Sequence, residues 1–121
     1  KEAISAGYDV EVDVWFIDGK LFLGHDGPEH QATLKELLEL GDHAWFHAKN
    51  YGALVELLSF DMHVFFHDRD EYTLTSRGII WAYSGKFVNG FAIACMPEMT
   101  RGFVVPDDAL GVCSDNFEAV V

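Results

Sequence analysis

The residues best suited to chemistry lie near the start of the sequence. In Tyr8-Asp9-Val10-Glu11-Val12-Asp13-Val14-Trp15-Phe16-Ile17, acids and apolar residues alternate. On a strand this period sends Asp9, Glu11 and Asp13 to one face and Val10, Val12 and Val14 to the other. Carboxylates spaced by two project side by side and can hold a hard divalent cation that prefers oxygen donors, Mg²⁺ or Ca²⁺. A solvated acidic face is the plainer reading of the same pattern. Downstream, Gly24-His25-Asp26-Gly27-Pro28 forms a loop that sets a histidine beside an aspartate.

Two further groups add to this set. In Trp45-Phe46-His47-Ala48-Lys49-Asn50, His47 and Lys49 share a face near a strand's C-terminal end, where parallel barrels build their active sites. A lysine there can neutralise a phosphoryl oxygen in the transition state. Read singly, His47 is a hydrogen-bonded core histidine and Lys49 a surface charge. On the next strand His63, Phe65 and His67 alternate, with His67-Asp68 at its end, and Trp81 and Tyr83 extend the pattern. In the functional reading Lys49, His67 and Trp81 contact substrate; otherwise the aromatic residues belong to core or rim. There is no glycine-rich nucleotide loop and no Gly-x-Ser-x-Gly elbow.

The elements that must position these groups follow from period and punctuation. Lys1 to Ala6 reads as the end of a helix stopped by Gly7. Asp18-Gly19 is a hairpin turn between the acidic strand and a return strand, Lys20 to Leu23. Thr33 and Glu36 form a capping box for a helix through Leu40, with Leu34, Leu37 and Leu38 as its apolar stripe and Gly41 as its end. Ala44 to His47 is a strand, Tyr51 to Leu58 a helix and His63 to His67 a strand. Ile79 to Tyr83, Ala92 to Met96 and Gly111 to Cys113 are three more short strands. Apolar strands separated by helices predict an α/β fold with a parallel sheet core. A full (β/α)8 barrel needs ~250 residues, so the expectation is a reduced TIM-type barrel in a single domain over residues 1–121, with an open α/β sheet as the runner-up.

Composition sets outer limits. Half of the 121 residues are hydrophobic and 14% are aromatic, which excludes general disorder. The net charge of −12 argues against nucleic acid as a partner, although phosphate can still bind through a metal ion. Cys95 and Cys113 sit in apolar runs and read as buried free thiols. No signal peptide and no apolar run near the ~20 residues of a membrane span is evident, which points to a cytoplasmic location.

Together and in order, these residues resemble the glycerophosphodiester phosphodiesterases and the related phosphatidylinositol phospholipase C-like enzymes. The family's Gly-hydrophobic-Glu-x-Asp-Val strand is matched by Gly7-Tyr8-Asp9-Val10-Glu11-Val12-Asp13-Val14, and its hairpin and His-Asp by Asp18-Gly19 and Leu23-Gly24-His25-Asp26. The next family strand carries a metal-binding glutamate two residues before a lysine. Here Lys49 matches, and His47 stands in the glutamate's place, a ligand that favours a softer ion than Mg²⁺. Gly111-Val112-Cys113-Ser114-Asp115 resembles the family's last strand. The family's opening His-Arg and Glu-Asn-Thr are not in the sequence, so against that order the chain begins about one strand and most of a helix late.

The resemblance implies a small-molecule phosphodiester substrate, a cation held by Glu11, Asp13 and His47, His25 as general acid or base, and Lys49 against the developing charge. Two other readings stand beside it: an inactive relative that keeps the metal or phosphate site, and a plain α/β domain with solvated acids.

Overall fold

The computed structural model describes residues 2–67 and 69–115; Lys1 and Asp68 lie outside the described residues. The chain divides after His67 into two compact units.

The first unit opens with one helical turn, α1 (Glu2–Ser5). Gly7 stops it, at φ +93° and with its N–H donating to the Ile4 carbonyl at 3.0 Å. The acidic segment forms β1 (Val10–Ile17), and Asp18 and Gly19, both at positive φ, turn it into β2 (Lys20–Leu23). Ile17 pairs with Lys20, so the hairpin register follows from the two-residue turn. A strand not foreseen from the sequence, β3 (His30–Ala32), pairs antiparallel with β2.

Thr33 caps α2 (Leu34–Glu39) with the expected capping box. Its hydroxyl accepts from the Glu36 N–H at 3.2 Å, and the Glu36 carboxylate accepts from the Thr33 N–H at 3.0 Å. β4 (Ala44–Ala48) runs parallel to β1, α3 (Tyr51–Ser59) follows, and β5 (Val64–Phe65) runs parallel to β4. The sheet order is β3-β2-β1-β4-β5.

Alternation along β1 then settles the layers. Val14 is fully buried, and Val10, Val12 and Phe16 pack against the same core. Phe46, Ala48 and Val64 join it from the neighbouring strands, and Leu37 of α2 with Ala53 and Leu57 of α3 are part of the same cluster. Each buried valine, leucine or phenylalanine among them contributes roughly 1.5–3 kcal/mol by leaving water. The intervening positions, Glu11, Asp13 and Trp15 on β1 and Trp45 and His47 on β4, point to the other face of the sheet.

The second unit holds β6 (Tyr72–Leu74), β7 (Ile80–Ala82), β8 (Ala92–Cys95) and β9 (Gly111–Cys113), in the order β6-β7-β8-β9. β6 and β7 are antiparallel, and the other two pairs are parallel. Ala82, Val88, Ala92 and Ala94 form its small core.

The expected reduced TIM-type barrel with a parallel sheet core is therefore wrong. The described residues form a small mixed α/β arrangement with two sheets, mostly strands. Two physical reasons account for this. The hairpin and β3 return antiparallel, so the first sheet is mixed from its start. Only α2 and α3 exceed a single turn among the described residues, and the crossover between β8 and β9 contains just the 3-10 turn Pro97–Met99, too little to clad a barrel.

Candidate metal centre

The parallel pairing of β1 with β4 sets Asp13 directly opposite His47. Both side chains project from the face that the core valines do not use. His47 Nδ1 stands 3.1 Å from Asp13 Oδ1, and the two side chains are 10% and 13% exposed. The contact is one of charge and proximity rather than alignment, because Asp13 Oδ1 is shielded from water and makes no hydrogen bond. Glu11, two residues earlier on β1 and more exposed, completes the set. One donor atom from each of Glu11, Asp13 and His47 lies within 4.8 Å of the other two, the one such group among the described residues.

The electrostatics of Asp13 follow from its position. Burial pushes its carboxyl up. Contacts with His47 and Glu11 and the positive charges of His47 and Lys49 outweigh that, and hold it below the usual carboxylate value of 3.8. Asp13 therefore carries its charge at neutral pH beside a second carboxyl group, an arrangement that favours a cation.

β5 supplies the wall behind the imidazole. The His47 ring stacks on Phe65, with centroids 4.8 Å apart, and on His67, at 4.4 Å. Its Nε2 approaches the His67 carbonyl oxygen at 3.5 Å. Lys49 follows β4 directly, its backbone N–H donating to the Val14 carbonyl at 2.8 Å, and its charge reaches Asp13. Of the residues singled out in the sequence, Glu11, Asp13, His47, Lys49 and His67 thus come together around the ends of three parallel strands.

His25 does not join them. His25 is 78% exposed and pairs with its neighbour Asp26 at 3.0 Å. Its loop is nonetheless tied to β1 at the site: the Gly24 N–H donates to the Asp13 carbonyl at 3.3 Å, and Trp15 Nε1 donates to the Gly24 carbonyl at 2.7 Å. Trp81 belongs to the second unit, where it is buried at 6% exposure in β7 opposite Thr73 and Ile93. Asp9, on the acidic face by period, precedes β1 and binds His43 Nδ1 and Trp45 Nε1, each at 3.1 Å. A surface concavity bordered by Phe16, Leu21, Leu34 and Phe60 contains none of these groups.

Sequence reasoning missed Trp15 and Asn50 as positioning residues. Asn50 caps α3 by accepting from the Ala53 N–H at 2.9 Å while also bonding β1. Its place one residue before a helix was the available signal.

The donor set fits a divalent cation. Two oxygens and one nitrogen converge, one oxygen is buried without a hydrogen bond, and three protein ligands leave positions open for substrate oxygens. Comparison with protein-family models, curated proteins and solved structures finds no match to this chain.

Proposed function

We propose that this chain is a metal-dependent phosphoric diester hydrolase acting on glycerophosphodiesters or a related lipid headgroup. The convergence of Glu11, Asp13 and His47 carries this reading, and the order of the strand, His-Asp and lysine motifs supports it.

A divalent cation bound there would draw in the phosphodiester oxygens and polarise phosphorus. Glu11 and Asp13 supply anionic oxygens, and His47 supplies a ring nitrogen, for holding it. Lys49 stabilises the extra negative charge as water or the glycerol hydroxyl attacks. His25, on the loop tethered to Asp13 and Trp15, transfers the proton as general acid or base, a task an imidazole can perform. Attack by water gives a glycerol phosphate and an alcohol; attack by the glycerol hydroxyl expels the alcohol and leaves a cyclic phosphate, which water then opens to the glycerol phosphate.

The exposure of His25 and its pairing with Asp26 favour a second reading, a metal- or phosphate-binding protein without turnover. Release of glycerol phosphate from a glycerophosphodiester, followed with added divalent cation and with chelator, separates the two. Cation-dependent turnover that falls by ~10²–10⁴ in His25→Ala supports the hydrolase. Cation binding without turnover selects the second reading. Absence of both sinks the pair.

A further inference from the structure

We infer that this centre is a mixed nitrogen–oxygen site, with His47 binding through Nδ1, and that it selects a borderline transition cation such as Zn²⁺ over Mg²⁺ and Ca²⁺. The inference rests on the metal reading above and refines it. The paired carboxylates alone suggest a hard cation; the imidazole changes the choice.

The assignment starts from the far side of the ring. A carbonyl oxygen can only accept, so the His47 Nε2 contact with the His67 carbonyl at 3.5 Å places a hydrogen on Nε2. In the neutral ring, Nδ1 then carries the lone pair. That lone pair sits 3.1 Å from Asp13 Oδ1, an oxygen that makes no hydrogen bond. Two electron-rich atoms this close repel unless a positive centre, a ring proton or a bound cation, lies between them. The pair is not aligned for a hydrogen bond, which favours a shared cation over a shared proton.

A ring N–H held by a backbone carbonyl is also the usual outer support of a metal-binding histidine, since it fixes tautomer and orientation. The stacked rings of Phe65 and His67 hold the imidazole in place, and His47 is only 8% exposed. It therefore offers Nδ1 to the centre with little freedom to turn away. Imidazole nitrogen suits Zn²⁺ far better than Mg²⁺ or Ca²⁺, which keep to oxygen.

Calorimetric titration of the whole chain with Mn²⁺, Zn²⁺, Mg²⁺ and Ca²⁺ tests this, together with pulsed EPR of the Mn²⁺ complex. The expected result is preference for Zn²⁺ over Mg²⁺ and Ca²⁺, and a nitrogen coupling in the wild-type Mn²⁺ spectrum that disappears in His47→Glu and Asp13→Asn. His47→Glu, checked for folding by circular dichroism, should narrow the Zn²⁺-to-Mg²⁺ affinity ratio by at least the ~10-fold that even an outer-shell change costs. Mg²⁺ or Ca²⁺ binding as tightly as Zn²⁺, or a wild-type spectrum without nitrogen coupling, overturns the inference and leaves the metal reading standing. If no cation binds at all, the metal reading itself fails and takes this one with it.

Discussion

Asn50 grips the backbone of Phe16 from both sides: its Oδ1 accepts from the Phe16 N–H at 3.2 Å, and its Nδ2 donates to the Phe16 carbonyl at 3.1 Å. The same Oδ1 caps α3. One amide thus joins the end of the acidic strand to the start of the helix that covers it. Asn50→Ala removes the cap and strands two half-buried backbone groups, so it should cost about 2–4 kcal/mol in urea unfolding. Asn50→Asp, which keeps the cap but loses the donor, should fall between.

Gly24 starts the His25 loop at φ +153°, and an added Cβ would run into the Gly27 carbonyl oxygen. Gly24→Ala should therefore disturb the loop and leave β1 and β4 in place. The expected signature is a drop in turnover with cation affinity retained, measured by assay and calorimetry on one preparation. Equal loss of both would mean that the loop helps to build the cation site.

Phe46 is 1% exposed on the strand that carries His47, one residue away on the opposite face. Phe46→Ala should destabilise the protein by about 3–5 kcal/mol. Cation affinity should weaken with it, because β4 sets the position of the imidazole. Thermal unfolding with and without cation reads both effects.

Glu11 is exposed and stands beside the charged Asp13. Removing its charge should leave cation-free stability within about 0.5 kcal/mol of wild type, as for most surface changes. The cation-induced rise in Tm should vanish. A Glu11→Gln protein that still gains stability from the cation would exclude Glu11 as a ligand.

Cys95 and Cys113 face each other across β8 and β9. The hydrogen bond with Cys95, then burial, then the negative charge of Cys95, Asp115 and Glu98 push the Cys113 thiol far above its ordinary value of 9.0. The folded state therefore keeps a proton that the unfolded chain gives up. The contribution to stability is intact below the unfolded thiol value, ~8.5, and falls as pH rises through it. Denaturation midpoints from neutral to alkaline pH should decline more steeply for wild type than for Cys113→Ala.

Much of the local structure was legible because short-range chemistry dictates it. Asp18-Gly19 fixed a hairpin, Thr33 with Glu36 fixed a cap, and alternation from Val10 to Val14 fixed which face is core. The site was legible through that same alternation, since Asp13 and His47 each oppose a buried neighbour. What escaped depended on partners distant in sequence. β3 is a three-residue strand that exists because β2 offers it an edge, and no period shows in His30-Gln31-Ala32. The barrel expectation failed because strand direction is a tertiary property: the valine runs look alike whether the neighbouring strand is parallel or antiparallel.

The outer strands of the first sheet are brief: β3 spans three residues and β5 two. A sheet border offers its unpaired N–H and C=O groups to any passing chain, and a long one templates cross-β growth. At β3 the border presents only a few such groups before the backbone leaves the ladder. That border is a poor template for another chain, and a substitution that lengthened β3 beyond Ala32 would raise the risk of aggregation.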